Sequence, residues 1–530
     1  MTIFQRLLVL AALLLCGQAQ AIYVCDCQAG AHGSCVAGSN SNAGTSASSP
    51  KQTEDSIDFE TLAAGTRVEF CRGGSWVNFS VFIRNFNATA ASPITFTDYA
   101  PPSGATGCPL MQSGSNQSGF FVSNYNDGLF DGGYVFENLC LRGDGVNGSG
   151  VQAFSQVTDI TVRNMDIRNY SIGVYAAGFA PSSGTGPTIV RMNVLNNLIQ
   201  DNIDMGFLGG AADSRIEGNT FRGNNKSGSG LNHAIYWSSS PFNNAPAPRV
   251  IIRNNLLDRN SVNVTGPNDA TRGSCTGGNL TARGYAVGLV VENNTIIQDT
   301  SAATCYGISM TSGSDNVEGF IDTFVRSNKV VNLGLRGIVV QNGWGVVVEN
   351  NVVVNNQATY HEAITIEDGP DPEDNDTTFA VVRNNSVYMT QASNGSRGIT
   401  TSAGTGHRIS NNLMYFGASS SNGSRCFNVQ PIGNYALFDY NQCFHGNNGG
   451  WTQSHSTLSA AQTAGYDTNG LNVDPLWSAV PAVGNDWTCN LQSGSTAINS
   501  GSSAAARLAY RGWRAVGTRD RGACEFGSTP

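Results

Sequence analysis

VENNVV (348–353), VRNNSV (382–387) and ISNNLM (409–414) are three copies of one unit, apolar-polar-Asn-x-apolar. Eight more follow the same pattern: FENLCL (136–141), VRNMDI (162–167), LNNLIQ (195–200), IEGNTF (216–221), IRNNLL (252–257), VENNTI (291–296), VRSNKV (325–330) and FDYNQC (438–443). Their aligned asparagines are Asn138, Asn164, Asn197, Asn219, Asn255, Asn294, Asn328, Asn351, Asn385, Asn412 and Asn441, at intervals of 22 to 39 residues. Such intervals are too irregular for a leucine-rich repeat, and the units are too β-branched for helical repeats. They fit the coils of a right-handed parallel β-helix with loops of variable length. Each short strand then pairs with its equivalent in the next coil, about 4.8 Å away, so eleven coils span about 48 Å. An Asn at a tight bend can take the left-handed conformation and bond its amide to the Asn above and below. The plain role of all these asparagines is structural. The fold class expected is all-β: a single β-helix of about eleven or more coils with N- and C-terminal caps.

A second column follows the Asn units. It reads IGVYAAG (172), MGFLGG (205), HAIYWSS (233), RGYAVG (283), YGISMTSG (306), RGIVVQNG (336), EAITIEDG (362) and RGITTSAG (397). Its opening dipeptide reads as a bend entering a strand. Strand alternation then turns the third and fifth places inward (Ile235 and Trp237, Ile338 and Val340, Ile364 and Ile366). The fourth and sixth turn outward (Tyr236 and Ser238, Val339 and Gln341, Thr365 and Glu367).

The first 21 residues place Arg6 before the apolar run Leu7–Cys16 and end Ala19-Gln20-Ala21. This reads as a secretory signal cleaved after Ala21, giving a secreted or periplasmic protein. Later stretches fall short of the about 18 apolar residues a membrane helix needs. Twelve of the thirteen cysteines remain, an even number that favours disulfides in an exported chain. Cys426 with Cys443 and Cys489 with Cys524 are plausible pairs. Disulfide is also preferred to zinc for Cys25, Cys27 and Cys35, because no matching His/Cys group follows at finger spacing. The net charge of -9 becomes -10 without Arg6, and no basic run exists to track phosphates, so nucleic acid is not an expected partner.

The segment TLAAGTRVEFCRGGSWVNFSVFIRNFNATAASPITFTDYAPPSG (61–104) resembles the opening segment of secreted bacterial β-helix proteins of the pectate-lyase-like superfamily. VDPLWSAVPAVGNDWTCNLQSGSTAINSGS (473–502) and DRGACEFG (520–527) resemble their closing cap. The resemblance covers about residues 56–527. It is specific for architecture and not for activity, because this scaffold carries lyases, hydrolases, epimerases and non-catalytic binders. The expected organisation is a signal (1–21), a Cys-rich segment and linker (22–55), the β-helix (56–450) and a C-terminal cap (451–530), the ends covering the open sheet edges.

The first place of the second column becomes polar in the later coils: His233, Arg283, Tyr306, Arg336, Glu362, Arg397. Stacked arginines suit an extended, acidic polysaccharide, because guanidinium forks grip carboxylates; the plain alternative is arginines bonding at a surface bend. The resemblance implies a polysaccharide substrate, and β-elimination from a uronan needs a neutralised carboxylate, a base and an acid. Arg336 or Arg283 would neutralise, His233 would be the base and Tyr236 the acid, with Tyr306, Glu362 and Arg397 binding substrate. His233 and Tyr236 lie three apart, so one regular strand would turn them to opposite faces; His233 at the bend can still reach outward. The alternatives are a glycoside hydrolase using paired carboxylates, Glu362 with Glu367 or Asp201 with Asp204, and a non-catalytic glycan binder. ITIEDGPDPEDND (364–376) could hold Ca²⁺ through Glu367, Asp368 and Asp371, although it lacks EF-hand spacing and an ordinary solvated acidic loop is the plainer reading. His361, His407 and His445 read as turn histidines. A covered β-helix is expected to be a monomer.

Overall fold

The computed structural model describes residues 20–124, 129–177, 188–239, 247–264, 272–299, 304–312, 318–372, 374, 376–479, 489–512, 514 and 516–527. The segment read as a secretory signal (1–21) thus lies almost wholly outside the described residues. Three long sheets of 14, 13 and 14 strands, in the order each coil meets them, run side by side, and the chain visits them in turn. The first coil is Arg67–Cys71, Ser75–Val77 and Val81–Ile83, and the last is Tyr435–Asp439, Gln442–His445 and Gly450–Thr452. One strand per coil in the second sheet makes thirteen coils. Pairing between coils is parallel throughout, as in Val291↔Val325, Val325↔Val348 and Val348↔Val382.

That file of inward residues is the core. It starts with rings, Phe96 on Phe136 at 5.1 Å and Phe120 on Phe136 at 4.7 Å, and continues as fully buried Val162, Val194, Ile252, Val291, Val325, Val348 and Val382. β-Branched residues fill a pleated surface well, so valine repeats wherever the stack is regular. No helix among the described residues is long and apolar enough to cross a membrane.

The asparagines divide two tasks that the sequence suggested one residue performs. The left-handed bend belongs to one position: Asn138, Asn164, Asn196, Gly218, Asn254, Asn293, Ser327, Asn350, Asn384, Asn411 and Tyr440 all have φ between 51° and 70°. The ladder belongs to the next. Asn197 Nδ2 donates to Asn219 Oδ1 (2.9 Å) and to the Val162 carbonyl (2.9 Å), while the backbone N–H of Asn197 reaches the same Asn219 oxygen (2.9 Å). The motif repeats through Asn219, Asn255, Asn294, Asn328, Asn351, Asn385, Asn412 and Asn441. Asn138 and Asn164 are therefore bend residues, one place out of register with the rest; Leu139 and Met165 hold the ladder positions. Buried amides are tolerated because every donor and acceptor finds a partner. A second, shorter ladder, Asn202–Asn224–Asn260, borders the third sheet.

Both ends are covered. Ala21–Val24 pairs with Arg67–Phe70 on the open edge, tied by Cys25–Cys71, and Cys27–Cys35 closes the loop beyond. The trio Cys25, Cys27 and Cys35 lies within ligating reach of one point, but all three sulfurs are spent in these bonds. Residues 38–50 fold back onto the cap, with Ser39 N donating to the Pro50 carbonyl and Asn40 Oδ1 accepting from Gln52 and Thr53. The far end is closed by the helix Leu458–Thr463, after which the chain returns along the outside of the last coils. There the bend asparagines receive it: Asn350 Nδ2 donates to the Leu508 carbonyl, and Asn384 and Asn411 accept from Ala506 and Ser502. Cys108–Cys140, Cys275–Cys305, Cys426–Cys443 and Cys489–Cys524 complete six disulfides.

Candidate active site

The outer face of the third sheet gathers most of the candidate residues. Its inward positions are as alternation demands, with Ile235, Trp237, Ile338, Val340, Ile364 and Ile366 at most 1% exposed. Four consecutive strands, Ile235–Ser238, Arg272–Arg283, Thr304–Thr311 and Arg336–Gln341, present a cleft of about 510 Å³. His233, Tyr236, Arg283, Tyr306 and Arg336 line it, with Thr281, Ser309, Thr311 and Gln341 between them. Three steps of coil spacing make it about 14 Å long, which accommodates about three sugar rings along the axis.

Arg283 arrives by a different route from the one its sequence suggested. RGYAVG (283–288) is not a member of the second column. Ile235 pairs with Leu280, so the column residue of that coil is Gly278, and Arg283 stands at the sixth place opposite Ser238 and Thr311. Tyr285–Val287 leaves for a separate four-stranded sheet with Ala247–Pro248, Gly319–Ile321 and Gly343–Trp344. The sequence around Arg283 supports two frames, and the apolar pair that decides between them is Leu280 with Ala282. Arg283 Nε lies 3.5 Å from Glu318.

Gly278 is what opens the cleft between His233 and Tyr306. A Cβ there would stand 2.5 Å from Thr281 Oγ1 and 2.8 Å from His233 Nδ1, closer than side chains approach. Its backbone N–H donates to His233 Nδ1 at 3.1 Å. The neutral imidazole thus carries its hydrogen on Nε2. Burial pushes the His233 pKa down to about 4, so the ring is neutral at pH 7. The strand begins at Ile235, which leaves His233 before it on the bend. Its ring stacks on Tyr236 with centroids 5.1 Å apart and planes at 28°. The opposite-face expectation for this pair fails because the regular strand does not reach back to His233.

Arg336 is oriented by two carboxylates, Nε to Glu362 at 3.3 Å and Nη1 to Glu367 at 2.5 Å. Burial opposes its charge, but the hydrogen bond and Coulombic pull of Glu367, then Glu362 and Tyr306, outweigh it and hold the guanidinium above its ordinary range. Glu362 is 7% exposed and also accepts from Tyr360 (2.7 Å) and Thr365 (3.2 Å). Burial and that bond push Tyr360 up to about 12. Glu367 further accepts from Gln341 at 2.9 Å.

The remaining candidates lie apart. Arg397 follows Glu362 in register, two coils beyond Arg336, and donates to the Ser396 and Gly423 carbonyls; Arg425 continues the file. Asp368 accepts from the Thr377 backbone. Among the described residues, Glu367, Asp368 and Asp371 do not bring three oxygens within ligating reach of one another. Asp204 is held by Ser171 and Asn232, and Asp201 occupies a left-handed bend. His361, His407 and His445 are buried and bonded to backbone, at Gly334, at Ala380 and Ala403, and at Asn447.

A wider groove of about 760 Å³ crosses Asn138, Asn164 and Asn196. Its charges are paired among themselves, Arg72 with Asp98 and Asp166 with Arg142 and Arg168, and it gathers no histidine or tyrosine.

No protein-family model matches the chain, and no curated protein matches its sequence. Solved structures do. A GH136 lacto-N-biosidase from Eubacterium ramulus is 15% identical over 80% of this chain and 68% of its own, with a TM-score of 0.45. XylC in complex with xylose is 9% identical over 88% of each chain, with a TM-score of 0.46. The periplasmic alginate epimerase AlgG is 10% identical over 73% of this chain and 79% of its own, with a TM-score of 0.36. The chain is a right-handed parallel β-helix protein. Sequence reading does not single out Gly278, Thr281, Ser309 and Thr311 and gives Gln341 only as outward-facing; their convergence is visible only once each strand is set in register with its neighbours.

Proposed function

We propose that this β-helix is an exported enzyme acting on an acidic polysaccharide, a lyase or epimerase working through proton abstraction beside a uronate carboxylate. The observation that carries this reading is the cleft itself. Two arginines, two tyrosine hydroxyls and a neutral histidine converge on four adjacent strands. Arg283 and Arg336 take the sugar carboxylate, which acidifies the neighbouring C–H. Tyr306, beside Arg336 in register, first gives its phenol proton to solvent and then removes the C–H proton as the phenolate, while Tyr236 protonates the leaving oxygen. His233 is not the base first expected: its Nδ1 lone pair already accepts the Gly278 N–H, so it serves as a hydrogen-bond donor through Nε2. An epimerase would use the same groups and return the proton to the opposite face.

The hydrolase reading draws on Glu362 and Glu367, which share one guanidinium. Each already has two or more further or shared partners, which ties them to Arg336 more than to a sugar. Incubation with a panel of uronans separates the readings. Unsaturated ends support the lyase, and solvent deuterium in uncleaved chains supports the epimerase. Saturated reducing ends point to the hydrolase. Retention without any change of product points to a binder.

A further inference from the structure

The outer face of the third sheet is not uniform along its length. In its fourth place the residues stack as Phe82, Phe121, Gln152, Tyr175, Leu208 and Tyr236, one per coil and in register from the first coil to the cleft. Beyond Tyr236 the same file turns to Thr281, Ser309, Val339 and Thr365. Phe82 is 48% exposed, and the five that follow are partly exposed. Phe82 meets Phe121 edge-on at 5.5 Å, and Phe121 meets Phe154 at 6.4 Å.

This contrasts with the outer face of the first sheet. There the equivalent positions alternate in charge, Glu217, Arg253, Glu292, Arg326, and form ion pairs of 2.8 to 3.6 Å. A solvent face of a β-helix is thus satisfied elsewhere by ionic ladders, whereas here it keeps rings. Exposed contiguous apolar surface marks a binding face. Its occupant is set by continuity: the file runs without a break in register into the cleft that holds His233 and Tyr236. Five coil steps measure about 24 Å, close to one sugar residue per coil in an extended chain. Aromatic rings offer flat faces to the C–H face of a pyranose, and Gln152, which accepts from Ser118, sits among them as a polar group.

We propose that Phe82, Phe121 and Tyr175 form a track that holds the non-reacting length of the same glycan chain whose reacting unit lies in the cleft. This rests on the polysaccharide reading above and adds direction to it. The chain lies along the helix axis, with its long arm toward the N-terminal cap.

Retardation in gels containing each polysaccharide of an acidic and neutral panel first identifies the probe the parent protein binds. Against that polymer, the triple variant Phe82→Ala, Phe121→Ala, Tyr175→Ala is expected to lose about 10- to 100-fold in affinity. For the trimer of the same sugar, which fits within the cleft, it should match the parent. Gln152→Tyr, which fills the gap in the file, should bind the polymer more tightly. Thermal melting at the parent's temperature verifies that the variants are folded. Equal binding of the polymer by parent and triple variant overturns the track and leaves the cleft assignment standing. A parent that no glycan in the panel retards overturns the polysaccharide reading, and the track with it.

Discussion

The imidazole of His233 lies against the ring of Tyr236, centroids 5.1 Å apart, and accepts the Gly278 N–H on Nδ1. Burial holds its pKa near 4. The depressed value means that the ring loses its proton well below neutrality, so between pH 5 and 8 its charge does not change. The His233 ring signals in a pH-titrated NMR spectrum, assigned with His233→Gln, should stay constant across that window and move only near pH 4. A midpoint near 6.5 would contradict the partly buried, Gly278-bonded state.

Gly278→Ala tests the floor of the cleft. The added methyl would stand 2.5 Å from Thr281 Oγ1 and 2.8 Å from His233 Nδ1, so His233 must move while the strand stays paired. The expected outcome is a loss of about 10- to 100-fold in turnover of the uronan that the parent processes, because an ångström of misplacement carries such a penalty. Stability should change by about 1 kcal/mol or less. Unchanged turnover would show that His233 is not part of the working site.

Arg336→Gln removes the group that both Glu362 and Glu367 face. Two partly buried carboxylates lose their counter-charge, and the expected destabilisation is about 1–3 kcal/mol by denaturant unfolding. Arg336→Gln with Glu367→Gln should recover part of it, since one of the two stranded charges is then gone. Turnover should fall in both variants. Recovery of activity with stability would reassign Arg336 to a purely structural part.

The stack of coils was legible in the sequence because its period-two strands and its Asn bends recur, and because Val and Ile inside the stack have no alternative place. The site was legible only in part. His233, Tyr306 and Arg336 share the first-place file and Tyr236 stands in the fourth-place file beside it, and the column alignment could set both. Arg283 was placed in the wrong frame: Gly278 offers no side chain to mark its column, and RGYAVG imitates one. The same ambiguity hid the division of labour at the bends. In ENN and RNN units either asparagine could be the ladder residue, and only hydrogen-bond partners distinguish Asn293 from Asn294. The alternating Glu/Arg file on the first sheet stood one residue before each left-handed bend and was overlooked because no single copy displays the alternation.

Asn293 and Asn294 therefore make a sharp pair of variants. Asn294 Oδ1 accepts from the Asn255 backbone and side chain, and its Nδ2 donates to Asn328 and to the Ile252 carbonyl. Asn294→Ala strands several buried polar groups, and a loss of about 3–5 kcal/mol is expected. Asn293 holds φ at 55°, where glycine is at ease, so Asn293→Gly should lie within about 0.5 kcal/mol of the parent. Hydrogen exchange of the flanking coils reads both. Equal effects would mean that bend and ladder are not separate roles.

Asp467 ends the main ladder, where its Oδ1 accepts the Asn441 N–H at 2.9 Å in the place an asparagine would occupy. Its other oxygen is buried without a hydrogen-bond partner among the described residues. Burial, with the nearby charge of Asp439, raises its pKa to about 8 against the pull of the Asn441 hydrogen bond and Arg521. A raised carboxyl pKa means that the folded state holds the proton more tightly than the unfolded chain does. The stability it supports is complete below the ordinary carboxylate range and drains away as pH rises toward 8. Asp467→Asn keeps the accepting oxygen and replaces the buried acid with an amide that never ionises. Parent and variant should melt alike at pH 4, whereas at pH 9 the variant should be more stable by about 1–3 kcal/mol. If the two respond alike to pH, the ladder does not end in a protonated aspartic acid.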